Sequence, residues 1–338
     1  LSTARRLPPG CHPVIRLAAA LLVLAGSAGA QEIGVFTDRY SGGPEESAPA
    51  AARQPKPVTI EVTPTEIEAH RLSGAKLTGA WELSGDNDWF GGLSGLMIEG
   101  DRLIAVTDRA HLLRARLTIA GDALSLSDAT LWHLRQLNGK MHDFRTGDAE
   151  ALTRAPQSVF ISFERYHRLS PMVPSGRLQG QIRPQAFEGL PYNKGIEALA
   201  FVRGEGVLAI AEDVTEAGAP YWLFRGPDQV ETGHLPLASR HQVTGGEVGP
   251  DGKLYLLRRD FNVIQGISIR VERFALAAGH PVPGSRDEIA AFESAGKIDN
   301  MEGLALTEAG GETHLWIISD DNFSALQRTI LVRLTLTE

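Results

Sequence analysis

The chain has 338 residues, 43% hydrophobic and 22% charged, which suits one large or two small soluble domains with a substantial core. A formal net charge of −8 argues against a nucleic-acid binder that works by neutralising phosphates, and against passive attraction to anionic membranes. With 36 glycines and 19 prolines, many turns and no long uninterrupted helices are expected.

In chain order, the first feature is a targeting segment. Arg5, Arg6 and Arg16 flank a short apolar run over 17–25, and Ala28-Gly29-Ala30 places an A-x-A pattern before Gln31. Residues 1–30 therefore read as an export signal, the run being shorter than the roughly 20 residues of a spanning helix. Pro8, Pro9 and Pro13 separate Arg5-Arg6 from the apolar run, which argues against a twin-arginine signal. Cleavage after Ala30 would remove three arginines and no acid, turning −8 into −11, and would also remove Cys11, the only cysteine. The expected mature chain has no disulfide and no thiolate chemistry. It makes no stable membrane insertion and works outside the cytoplasm, periplasmic or secreted. Residues 31–57, rich in Pro, Ala, Ser and Gly from residue 38 on, read as a flexible linker. The folded domain is expected over 58–338.

Within that domain one unit recurs: a small or acidic residue, then Ala or Gly and Leu, a turn, an apolar run and an acid. The copies are GGLSGLMIEGDRLIAVTDR (91–109), DAEALTRAPQSVFISFER (148–165), GIEALAFVRGEGVLAIAED (195–213), TGGEVGPDGKLYLLRRD (244–260) and NMEGLALTEAGGETHLWIISDD (300–321). Each reads as strand, tight turn, strand, with Gly100, Gly204 and Gly252 at the turns. Further strands fall between copies, at 112–119, 221–224, 267–274 and 329–336. Four strands per repeat at a period of about 50 residues predict an all-β propeller, not a helical solenoid. Five blades are expected, with six open; residues 300–338 hold only three strands, and LTGAWEL (77–83) would supply the fourth and close the ring.

The ordered motifs SGL…DRLIAVTDR, EAL…FISFERYHR, GIEALA…LAIAED, GPDGKLYLLRRDF and DNMEGLAL…IISDDNFSALQRTIL resemble the bacterial phytase-like, esterase-like family over about 77–338. The resemblance implies an exported propeller that hydrolyses esters or phosphoesters, often with a divalent metal.

Propeller geometry places the start of each inner strand at the mouth of the central channel. Glu150, Glu197 and Glu302 share that slot, with Ser94 in the first copy, Thr244 in the fourth and Glu247 three residues further on. A second set ends the next strand: Asp108, Glu164, Glu212 and Asp320, with Arg259 in the fourth copy. Converging carboxylates repel and raise one another's pKa, and a hard cation such as Ca²⁺, which takes six to eight oxygens, relieves that repulsion. Glu150, Glu197, Glu212, Glu302 and Asp320 are the candidate metal ligands. Asp108, Glu164, Arg109, Arg165 and Arg328 are candidates for proton transfer or for clamping an anionic group. The competing reading is structural: such acids bond backbone amides between blades, and Asp320-Asp321-Asn322 forms an Asx-type turn.

Other patterns fail. Gly92-Leu93-Ser94-Gly95 lacks the final glycine of a nucleophile elbow, and Asp86-Asn87-Asp88 does not continue as an EF-hand loop. P-loop, dinucleotide and zinc-protease motifs are missing, and His142 and His167 read as surface or hydrogen-bonded histidines. Two functions remain: a metal-assisted hydrolase of a small-molecule ester or phosphoester, or a non-catalytic propeller that binds a ligand or protein partner.

Overall fold

The computed structural model describes residues 54–337 except 144, 157, 173–177, 227–228 and 238–240. The export signal and most of the linker expected from the sequence lie outside the described residues.

Five antiparallel sheets follow one another along the chain as the blades of a propeller. Their inner strands are Leu93–Glu99, Ala149–Ala155, Ile196–Val202, Gln242–Val248 and Met301–Ala309. Each inner strand touches the next, and the last touches the first, so the ring is closed. The apolar core is not one mass but five wedges, one in each seam. Leu152 and Phe163 pack with Met97 and Leu112 between blades one and two, and Phe160 and Leu169 meet Trp222 and Phe224 between two and three. Trp81 and Trp316 stack at 6.2 Å beside Leu93 and Leu131 in the seam of blades five and one.

Closure is made where the sequence predicts it. Strand Ala75–Gly85, which contains Leu77–Leu83, pairs with the C-terminal strand Thr329–Leu336. Three shorter N-terminal strands cover the outer edges of sheets one, four and five. Lys56–Pro57 pairs with blade one, Ile60–Pro64 with blade five and Ala69–Leu72 with blade four. Such pairing covers backbone groups that an open edge would leave exposed. Lys56 and Pro57, the last residues of the expected linker, form the first described strand.

Strand number departs from four in several blades. Blades one, four and five have five strands because of these additions, and blade three has four. Blade two has three among the described residues, followed by isolated bridges at Leu178 and Ile182 and a short 3₁₀ turn, Gln185–Gly189. No helix among the described residues is long and apolar enough to cross a membrane.

Candidate functional site

All five inner strands carry a β-bulge at the same place. The register skips between Leu93 and Gly95, Ile196 and Ala198, Val243 and Gly245, and Met301 and Gly303. In blade two, Glu150 and Ala151 together face the single residue Ser162. The extra residues are therefore Ser94, Glu197, Thr244 and Glu302, with Glu150 inside the blade-two bulge. A bulge breaks strict alternation and re-aims a side chain. Here it lets successive residues serve the seam and the central axis, and all five slot residues are buried.

The second set lies beside the first. In four blades the acid after the second strand donates its N–H to the carbonyl two residues before the slot: Asp108 to Gly92, Glu164 to Asp148, Glu212 to Gly195 and Asp320 to Asn300. Arg259 pairs with Gln242 in the equivalent place in blade four. Gly92 and Gly195 leave room for this. A Cβ on Gly195 would lie 3.0 Å from Glu164 Cγ, and one on Gly92, at φ +61°, would lie 2.3 Å from Asp108 Oδ1.

Oxygens of Asp148, Glu150 and Glu164 lie within 4.8 Å of one another, as do oxygens of Glu164, Glu197 and Glu212. Glu164 is common to both triplets, which occupy the blade two and three side. The opposite side is neutralised: Arg259 Nη1 bonds Glu302 Oε1 at 2.7 Å and also contacts Asn300 Oδ1, while Asn300 Nδ2 donates to Glu302 at 2.9 Å. Arg165 pairs with Asp148 at 2.8 Å. Gln242, with its amide nitrogen towards Glu212 Oε1 (2.9 Å), presents its oxygen to Lys194 Nζ (2.5 Å).

Desolvation and mutual repulsion keep these acids protonated to unusually high pH. Burial first, then Asp148, raises Asp108 to about 7 and Glu164 to about 8. Burial and Glu302 raise Asp320 to about 8. Glu150 and Glu197 are pushed well above the usual carboxylate range by burial and by Glu197 and Glu212 respectively. Burial also raises Asp148 and Glu212, opposed chiefly by Arg165 and Arg259. Both triplets offer oxygen donors only, the set a hard divalent cation takes.

Residues 88–323 match the family model described as phytase-like, esterase-like activity of phytase. The chain belongs to that family. Among solved structures it is similar to a gluconolactonase from Xanthomonas campestris, at 14% identity and a TM-score of 0.44, covering 84% of this chain and 98% of that one. It is similar to a glutaminyl cyclase from Myxococcus xanthus at 12% identity and a TM-score of 0.40, covering 83% and 100%. An exo-1,5-α-L-arabinanase from a bovine ruminal metagenomic library matches at 12% identity and a TM-score of 0.44, covering 73% and 97%. No curated protein matches the chain.

In this phytase-like chain, three of the five expected metal ligands, Glu150, Glu197 and Glu212, fall in the triplets, together with Glu164, expected in a catalytic role. Glu302 is held by Arg259, and Asp320 accepts from Asn322 N–H at 2.6 Å in an Asx turn. Its neighbour Asp321 staples blade five to blade one through Gly92 N–H at 2.9 Å. Arg109 lies 3.4 Å over the Phe323 ring, close enough to Asp108 to oppose its raised pKa. Arg328 is not brought into the cluster; Nη2 donates to Lys297 O at 2.7 Å, and Glu82 and Asp299 lie within 4 Å of it.

Blade four shows the structural use of these positions. Thr244 Oγ1 donates to Met301 O at 3.0 Å. Glu247 accepts from Leu306 N–H at 2.6 Å, matching the Thr153 to Phe201 contact between blades two and three, three residues beyond the slot. Asp148, Asn300, Gln242 and Lys194 were not among the residues singled out from sequence. The first two stand two residues before a slot glutamate, in DAE and NME, and that repeated offset is the signal that marks them.

Proposed function

We propose that this protein is a metal-assisted hydrolase of ester or phosphoester bonds in small molecules, acting outside the cytoplasm. The observation that carries this reading is the pair of buried carboxylate triplets sharing Glu164. Asp148, Glu150, Glu164, Glu197 and Glu212 would hold the cation, and Ca²⁺ is the proposed ion because every donor is a hard oxygen on a packed but adjustable side chain. A bound cation supplies polarisation of the ester oxygen and a water that ionises near neutral pH.

The remaining work falls to the chain's own groups. Asp108 Oδ1 is buried without a partner, and its carboxyl titrates near 7, so it can take a proton from water or return one to the leaving oxygen. Arg109, exposed beside it, draws an anionic substrate to the mouth. Arg165 holds Asp148 in place and is a positioning residue. Family membership supports ester chemistry, and residues 1–30 support export.

The test strips the purified protein with EDTA, restores Ca²⁺, Mg²⁺ or Mn²⁺, and follows p-nitrophenyl phosphate and p-nitrophenyl acetate. Cation-dependent turnover is expected, abolished by Glu197→Gln and reduced less by Glu302→Gln, whose carboxylate already belongs to Arg259. Absence of turnover of both esters with all these cations overturns the reading. It would favour a non-catalytic propeller, a reading supported by the structural use of Thr244 and Arg259 in blade four.

A further inference from the structure

Arg168 begins the third strand of blade two, Arg168–Met172, and is 4% exposed. Its Nη1 donates to Tyr166 O at 3.0 Å, its Nη2 to Thr146 O at 2.5 Å, and the guanidinium lies 3.8 Å over the Phe163 ring. No carboxylate pairs with it among the described residues. The contrast with Arg258 is direct: that side chain is 2% exposed and has Glu272 at 3.0 Å. A buried guanidinium facing carbonyls and rings but no carboxylate has its desolvation penalty offset only in part, and burial lowers Arg168 to about 10.

This cation opens on a cavity of about 360 Å³, lined also by Gln136, His142, Thr146, Tyr166 and Gln181. Both ring nitrogens of His142 are buried there, with the backbone carbonyls of Arg135 and Thr146 close enough to act on the ring. Burial and Arg168 hold that imidazole neutral, so it offers one donor and one acceptor. Arg183, exposed, lies 4.2 Å over the Tyr166 ring and adds a second positive charge. A guanidinium has five N–H groups, and carbonyls engage only two of these. The cavity shares no lining residue with the carboxylate triplets.

We propose that this cavity binds the anionic group of a small organic molecule, a carboxylate or a phosphate monoester, with Arg168 as its counter-charge and His142 as a neutral donor. Both anions present the accepting oxygens that a planar guanidinium fork recognises. The site lies outside the carboxylate cluster and does not depend on the hydrolase reading.

The test uses the full chain in EDTA, so that no cation contributes. Phenyl phosphate and benzoate are titrated by calorimetry at constant ionic strength, with phenol as the neutral control. At least one anion is expected to bind with one-to-one stoichiometry, and phenol not. Arg168→Gln should weaken binding about tenfold or more, the value of a charge-assisted hydrogen bond, and His142→Phe about threefold. Which anion binds more tightly separates the phosphate source from the carboxylate source. No binding of either anion overturns the proposal, as does an unchanged Kd in folded Arg168→Gln. If that variant does not fold, an unchanged Kd in His142→Phe overturns it.

Discussion

Arg259 Nη1 lies 2.7 Å from Glu302 Oε1 across the seam between blades four and five. It is the one slot or second-set position in the ring filled by a cation, and its charge also reaches Glu197 and Glu212. Replacing it by Gln leaves the cluster without its main compensating charge. The expected loss at high pH is about 2–3 kcal/mol, below the roughly 3–5 kcal/mol of a fully buried broken pair because a fifth of the Arg259 side chain is exposed. Urea denaturation in EDTA measures it; the loss should shrink in acid, where the carboxylates are neutral.

Metal-free stability should fall with rising pH. Glu164 and Asp320 are raised to about 8 and Asp108 to about 7, so the folded state binds these protons more tightly than the unfolded chain does. Their contribution is fully present below the ordinary values of 4.5 and 3.8 and is lost as pH rises through 7 and 8. Thermal midpoints in EDTA should therefore drop between about pH 6 and about pH 9, and saturating Ca²⁺ should remove most of the drop by replacing the protons. A midpoint that rises over the same interval in EDTA contradicts this account of the cluster.

Glu164→Gln should separate stability from binding. The substitution removes the carboxylate common to both triplets, so Ca²⁺ affinity measured by calorimetry should fall at least about tenfold, the loss of a charged ligand contact. The same change relieves repulsion, and the metal-free protein should be no less stable than wild type at high pH, where the native side chain must either hold a proton or bear its charge among others.

The cluster was partly legible in sequence, and the reasons are local. Glu150, Glu197 and Glu302 are visible because each precedes Ala or Gly and then Leu at matching places in a repeat, and the propeller follows from the same repeats. The bulge that turns them inward is not visible, since it is a matter of pairing register and not of residue type. Arg328 stands near Asp320 in sequence but immediately before the strand Thr329–Leu336, and its side chain reaches Lys297 O instead of the axis. Arg168 and His142 carry no repeat signal; they are brought together because both pack on the Phe163 ring. The three-stranded sheet of blade two was equally hidden, because among the described residues Leu178 and Ile182 supply apolar contacts to the sheet through isolated bridges.

The other end of the inner strands should behave differently. Burial raises Glu247 to about 8, so it is neutral at physiological pH and acts as an acceptor for Leu306 N–H. Glu247→Gln should leave stability within about 0.5 kcal/mol, as for a swap that keeps the bond, whereas Glu247→Ala should cost about 1–3 kcal/mol by orphaning a buried N–H. Neither should alter Ca²⁺ affinity; calorimetry alongside urea denaturation checks both.

The strand that completes blade five comes from residues 75–85, and its partner is Thr329–Leu336. Three of the five seams form from segments near one another in sequence, but the wedge between blades four and five takes in Ile67, Ala75 and Ala80, and the one between five and one takes in Trp81 and Leu83, so both need the two ends of the domain at once. The chain-entropy cost of a loop of some 250 residues falls on that final event, whose logarithmic dependence on length makes it slow to reach but not prohibitive. Until residue 336 is available the ring has two open faces, those of blades five and one, each with a half-built apolar wedge. A nascent chain therefore resembles an unlocked bracelet, and its hazard is pairing with a second copy through those faces. Once the clasp engages, loss of either terminus reopens both faces together, so unfolding should start at the clasp.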